Sequence, residues 1–439
     1  MAIIIEKADP NAPVEEAPAD AATGWRRVTE LIILLGAGMV TTLCFTAVIP
    51  GLQRIAKAFA GQTILPQGVL DFFNSVGLSG VAEFFGKSDP TFTAQIIVVA
   101  APFGLAIGGF FAGWVVKKLG IRRTMFLGLA AAAVFGTAQV WVPSLRGLLL
   151  SRVLLGMSLI CTDVALTTLI GARFVGKWRA RLMGFRQAIG SVGTVLTMLL
   201  SGQLVKHYDW RVPGFMFLLP AIFLLLAVFT FTKPINLLEE KPDEARAQER
   251  FNILQIWPIY ALALVMTICH AMPSFQMPFL LKEMNITDPG MISVVPALSA
   301  FIGILTALVF GLIYARIGRM TFVVSSVAMG LGFIGMGLAP AFGVILGFVV
   351  LEGIGAGMTI PYFATRTLDR ITLAQRSRAM GYMMSAVFIG HVLNPFVLKP
   401  IRNALGVHGA FMVIGGFLVV AGVVLTIRAW FTRGKTTIV

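Results

Sequence analysis

Gly113-Trp114-Val115-Val116-Lys117-Lys118-Leu119-Gly120-Ile121-Arg122-Arg123 is a short basic link between two long apolar runs. Its pattern returns 198 positions later as Gly311-Leu312-Ile313-Tyr314-Ala315-Arg316-Ile317-Gly318. A second basic link repeats at nearly the same offset. Arg179-Ala180-Arg181-Leu182-Met183-Gly184-Phe185 is matched by Arg376-Ser377-Arg378-Ala379-Met380-Gly381-Tyr382, and Gly156 by Gly353, each 197 residues on. So constant a register over so much chain implies two homologous halves.

The runs between these links are too apolar for water. Of 439 residues, 57% are hydrophobic and 13% charged, against roughly 25% charged in a soluble domain. Runs of about 20 apolar residues, enough to cross ~30 Å of hydrocarbon, fall near 31–51, 94–116, 124–143, 147–170, 182–206, 212–233, 255–281, 291–315, 321–339, 343–366, 379–401 and 408–432. The expected fold class is an all-α membrane protein of twelve transmembrane helices in two pseudo-symmetric six-helix bundles. Residues 25–233 and 255–432 form the halves, and a charged linker, 234–254, joins them. A disordered tail, 1–24, precedes them and a short tail, 433–439, follows.

Lys and Arg set the orientation. With the N-terminus inside, 24 of the 35 fall on the cytoplasmic side and nine on the other, which places both termini and the linker in the cytoplasm. Residues 52–93 are then external. They read as a short interfacial helix pair capping that face, with a solute-capture loop as the alternative. The net charge of +15 is thereby accounted for without nucleic acid. Three cysteines inside apolar runs and four scattered histidines give neither a disulfide framework nor metal-ligand spacing. No cofactor or metal is expected. Without a nucleophile–base pair or phosphate loop, neither is an enzyme.

The link at Gly113 resembles the loop signature of the major facilitator superfamily, Gly-x-x-x-Asp-Arg/Lys-x-Gly-Arg/Lys-Arg/Lys. Lys117 stands where that family usually has an acid, and Ala315 does not restore it in the second copy. Arg152 followed by Gly156 resembles a second family signature, and Asp209-Trp210-Arg211 with Phe215 resembles the family's entry to the sixth span. The resemblance covers the chain from Trp25 to the last span. It implies parallel halves rocking around a midplane site, with spans one, four, seven and ten lining the cavity. The family's loop residues map to Gly113, Lys117, Gly120, Arg122, Arg123, Gly311, Arg316 and Gly318.

Ionisable groups within spans are costly and default to a functional reading. Asp163 and Glu352 are the intramembrane acids by this reading, on spans four and ten. Arg152 lies eleven residues before Asp163, so both would face one cavity wall, about 16 Å apart, with Gly156 leaving room between them. Glu352, Ala356, Thr359, Phe363 and Arg366 recur on one face of span ten. His270, His391, Asn394 and Thr42 are further candidates. Arg186 could face the inner mouth, though snorkelling to the interface fits it as well. The expected function is secondary active transport of a small organic solute, with protons and the bilayer as further partners, in a monomer of the inner membrane. Export is slightly favoured. Uptake of an organic anion with Arg152 as counter-ion is the alternative, and a transporter-like receptor or scaffold the remote one.

Overall fold

The computed structural model describes residues 25–86, 89–174, 176–232, 256–371 and 376–431, without the side chains of 172, 176–181, 376–378 and 428–431. The expected tails and the linker 234–254 lie outside the described residues. Every regular element described is helical. The first half holds α1 (Trp25–Thr46), three short helices α2 (Leu52–Ala58), α3 (Gln67–Ser75) and α4 (Ser79–Gly86), then α5 (Pro90–Leu119), α6 (Ile121–Trp141), α7 (Leu145–Arg173), α8 (Gly176–His207) and α9 (Leu218–Thr230). The second holds α10 (Trp257–His270), α11 (Met272–Glu283), α12 (Pro289–Ile317), α13 (Met320–Leu338), α14 (Phe342–Leu368) and α15 (Arg376–Phe431). Among the described residues, eleven stretches are long and apolar enough to cross a bilayer. The last contains two spans, because Gly406 at φ +72° breaks α15.

Local chemistry sets the helix ends. Asp89 caps α5 by accepting from the Phe92 amide at 3.0 Å, Ser144 caps α7 from Gly147 at 3.2 Å, and Asp288 caps α12 from Gly290 at 2.8 Å. Pro90 and Pro289 follow two of these caps, where a missing N–H leaves no helix bond unmade. Gly120 (φ +81°) turns α5 into α6, and Gly318 (φ +52°) turns α12 into α13. These are matched positions of the repeat and need a backbone without a Cβ. Gly113 and Gly311 do not turn. They lie within helices with open space beside them.

Within the first half, α5 and α7 touch through glycine. A Cβ on Gly156 would lie 2.0 Å from the Ala101 carbonyl oxygen, and one on Gly104 2.0 Å from that of Val153. Gly156 therefore makes room for the α5 backbone rather than for a solute. Large apolar side chains such as Trp114, Leu308 and Leu312 stand exposed, as a lipid-facing surface requires.

Candidate functional site

The two halves are bonded together at the face where α1 ends. Gln95 of α5 donates to the Phe275 carbonyl and to Gln276 Oε1, both at 3.0 Å. Arg402 donates to Asp89 at 2.5 Å and to Gln95 at 3.3 Å. Gln53 donates to the Pro278 and Ile286 carbonyls. Lys206 pairs with Asp288 at 2.8 Å, and its ammonium holds the Asp288 carboxyl below the usual carboxylate range. Over 52–93, where a short helix pair is expected, α2 prolongs the first membrane-length stretch, Trp25–Ala58, while α3 and α4 form two short helices, and α4 reaches the second half. There Lys399 donates to the Phe84 carbonyl and lies 4.0 Å and 4.2 Å above the Phe84 and Phe92 rings, attractive contacts for a cation.

Toward the opposite face a cleft of about 250 Å³ separates the halves. Leu105, Phe110, Ile160 and Val164 of α5 and α7 line one side, and Tyr382 and Phe388 of α15 line the other. Asp163 sits between Ile160 and Val164 in sequence, and its carboxylate is ion-paired with Arg186 of α8. The pair is asymmetric: the Asp163 side chain is 31% exposed and that of Arg186 only 9%. Arg186 therefore does not snorkel to an interface. It crosses behind α1, where a Cβ on Gly38 would touch its stem at 3.4 Å. Its Nε has no partner among the described residues.

Further into the bundle, span seven is broken. His270 ends α10, and Pro273 sits at the start of α11, where it can neither donate nor continue the ladder. Asn394 Nδ2 donates to the Ile268 carbonyl at 2.7 Å and secures the break, while Asn394 Oδ1 and His270 Nδ1 are buried without partners among the described residues. The His391 ring lies 5.5 Å from Phe45, 6.3 Å from His270 and 6.5 Å from Phe275. Asp163 and Arg186 thus form one cluster, and His270, His391 and Asn394 a second. The Thr42 hydroxyl donates to its own helix at the Met39 carbonyl, 2.8 Å.

Three expectations fail here. Arg152 shares no cavity wall with Asp163. It is 1% exposed, bonds Gln139 of α6, and lies 5.6 Å from the Phe217 ring inside the first half. Glu352 is fully buried inside the second half, accepting from Ser299 of α12 at 2.6 Å and packed on Gly332 of α13. Its companions Ala356, Thr359 and Phe363 are buried too, with Thr359 bonded to Ser325, so this is a packing face. Glu30 stands just before the first apolar run, 31–51, yet it too is a buried acid of the bundle. It is 5% exposed in α1 and bonds Arg173 at 2.5 Å. Of the loop residues, Lys117 and Arg316 are exposed, and Arg122 stacks 5.2 Å from Phe126.

The comparisons agree with this architecture. The chain is similar to the cis,cis-muconate transport protein of Acinetobacter baylyi, 23% identical over 400 residues, which cover 84% of this chain and 93% of that one. It is similar to the galactose-proton symporter of Escherichia coli, 26% identical over 162 residues, 36% of this chain and 33% of that one. The crystal structure of a D-xylose-proton symporter superposes with a TM-score of 0.69 at 13% identity, covering 90% of this chain and 96% of that one. A family model described as the Major Facilitator Superfamily matches residues 34–395. With its paired six-helix halves, its cleft between them and this match, the chain belongs to the Major Facilitator Superfamily and is a multi-pass membrane transporter, not an enzyme.

Proposed function

We propose that this transporter takes up a small organic anion together with a proton, by alternating access, as a monomer with both termini in the cytoplasm of an inner membrane. The observation that carries this is the Asp163–Arg186 pair, a part-exposed carboxylate bound to a buried guanidinium, on the turn of α7 whose Ile160 and Val164 line the cleft. While Asp163 is ionised, it neutralises Arg186. A proton on Asp163 removes that charge, and the guanidinium then favours a carboxylate from the solute, which its planar fork can bind with two hydrogen bonds. Proton and anion therefore arrive together and leave together. Relatives named for muconate transport and for galactose-proton symport support the movement of a small organic solute with protons. Arg186 replaces Arg152 as the counter-ion, because Arg152 is enclosed within the first half.

The test is uptake of labelled cis,cis-muconate, whose two carboxylates keep it from crossing lipid unaided, into proteoliposomes under an imposed proton gradient. Asp163→Asn, a permanently neutral Asp163, should abolish gradient-driven accumulation while retaining exchange of muconate across the membrane. Arg186→Gln should lose both. Unchanged pH-driven accumulation in Asp163→Asn removes the pair from the mechanism.

A further inference from the structure

Helix α12 carries a stripe that changes character at the membrane boundary. It starts at Pro289, beside the Lys206–Asp288 pair, and its 29 residues rise about 43 Å toward the opposite surface. Near that end Phe301, Leu305, Leu308 and Leu312 recur at intervals of four, three and four, one face of the helix, and all four are exposed. From Phe301 to Leu312 is about 16 Å, the depth of one leaflet of a ~30 Å hydrocarbon core. The next position on the stripe is Arg316, exposed as well, and exposed Arg319 follows just past the turn at Gly318.

Helix α14 delivers two more arginines to the same end. Its Tyr362 ring lies 6.2 Å from that of Tyr314 on α12, and the Tyr314 hydroxyl donates to Asp369 at 3.4 Å, which sets the ends of the two helices side by side. Partial burial, and then the guanidiniums of Arg366 and Arg319, push Arg370 below the ordinary arginine range. Three arginines from two helix ends therefore stand within reach of one another's charge. Asp369 is the one acid at this end of the second half among the described residues. The repeat supplies the contrast. Arg173 holds the position 197 residues before Arg370 and is neutralised by Glu30 at 2.5 Å. In the first-half loop, Lys118 rests 4.9 Å from the Trp114 ring.

Like charges held close together repel, and an anion placed among them relieves the repulsion. Phosphate suits the guanidinium fork, which holds it with paired hydrogen bonds. A soluble phosphate or an acidic peptide would leave the apolar track unused, whereas a lipid uses both parts. We infer that this end of α12 and α14 binds one anionic phospholipid, its phosphate among Arg316, Arg319, Arg366 and Arg370 and an acyl chain along the stripe from Leu312 to Phe301. The site is separate from the Asp163–Arg186 pair and does not depend on which solute is carried.

The experiment titrates the purified, delipidated full chain in detergent with dioleoylphosphatidylglycerol or dioleoylphosphatidylcholine and reads the bound lipids by native mass spectrometry. The two probes share their tails and differ in net charge. The wild type should retain one phosphatidylglycerol with an affinity on the order of ten-fold above phosphatidylcholine. Arg316→Gln and Arg319→Gln, both at the surface, should each lower that affinity roughly five-fold, the worth of one cation at an anionic headgroup, and leave phosphatidylcholine unaffected. Lys117→Gln with Lys118→Gln, in the matched loop of the first half, should leave the retained phosphatidylglycerol in place. Equal affinity of the wild type for the two lipids would overturn the inference, and that comparison needs no variant to fold. An equal loss from the Lys117 and Lys118 replacements would overturn it as well, since the attraction would then belong to the whole basic face. Glycerol 3-phosphate displacing phosphatidylglycerol at matching concentration would make this a site for soluble phosphate, with no part for the apolar stripe, and would likewise overturn it.

Discussion

Replacing Gly156 with alanine tests whether the α5–α7 contact is as close as it looks. The added Cβ would lie 2.0 Å from the Ala101 carbonyl oxygen and 2.7 Å from the Leu105 amide nitrogen, where ordinary contact begins at 3.4 Å. The obstruction is backbone in the middle of a helix, not the tip of a flexible side chain. The helices must therefore part by about 1.4 Å, the difference between 3.4 and 2.0 Å. Overpacking of this kind costs about 1–3 kcal/mol, and a rigid obstruction places the substitution near the upper end. Gly104→Ala meets the Val153 carbonyl at the same 2.0 Å and should behave alike. Gly113→Ala is the control. It lies in the same helix, α5, with nothing within 4 Å, and exchanging an in-helix glycine for alanine there should stabilise by roughly 0.5–1 kcal/mol. Thermal unfolding in detergent, followed by loss of the monodisperse peak, reads all three. Gly156→Ala and Gly104→Ala should melt well below the wild type and Gly113→Ala at or above it. Wild-type melting in Gly156→Ala would show that the two backbones do not meet, and the account of the signature glycine would be wrong.

Arg152→Lys should lower stability by about 1–3 kcal/mol, because a buried Gln139 acceptor loses its guanidinium partner, while the KM for muconate stays unchanged. A raised KM with unchanged melting would return Arg152 to the solute path. The Lys206–Asp288 pair is part-exposed on both sides and contributes at most about 1 kcal/mol. Because Lys206 depresses the carboxyl, this contribution is complete above the ordinary value of 3.8 and disappears as pH falls through the lower folded value. Acid should therefore loosen the wild type and leave Asp288→Asn indifferent, as read by labelling of a cysteine at Gln203. Single cysteines at Gln62 and Leu119, in a background freed of native thiols, should react with an impermeant reagent from opposite sides, Gln62 from outside. Labelling of both from one side would refute the assigned topology.

The spans and the repeat are legible in the sequence because hydropathy and spacing are properties of the chain alone. Gly120 and Gly318 pair by their place in the repeat, and both are the left-handed ends of equivalent helices. The direction each charge faces is not legible. On α7 and α14 apolar residues run all the way round, so no periodicity says which side meets a neighbour. Arg152 and Glu352 accordingly read as lining a cavity that neither reaches. The Asp163–Arg186 pair joins two helices, and only their packing shows it. Glu30 reads as a residue at the water boundary, yet α1 starts one turn earlier, at Trp25. Lys399 and Arg402, at the end of the apolar run 379–401, count in the sequence only as two of the nine cations of the outer side, but both are buried where the halves meet.

Among the described residues, the bonds joining the halves cluster at a single end, and this bears on turnover. If the halves rock as proposed above, an empty carrier breaks Gln95–Gln276, Arg402–Asp89, Lys206–Asp288 and the seat of Lys399 on Phe84 before its site can open at the face where α1 ends. Reorientation without cargo is then the slow leg of each cycle. Solute already inside rebinds and returns the loaded carrier by a different leg. Preloading the vesicle lumen should therefore accelerate, not oppose, the first entry of labelled solute from the medium.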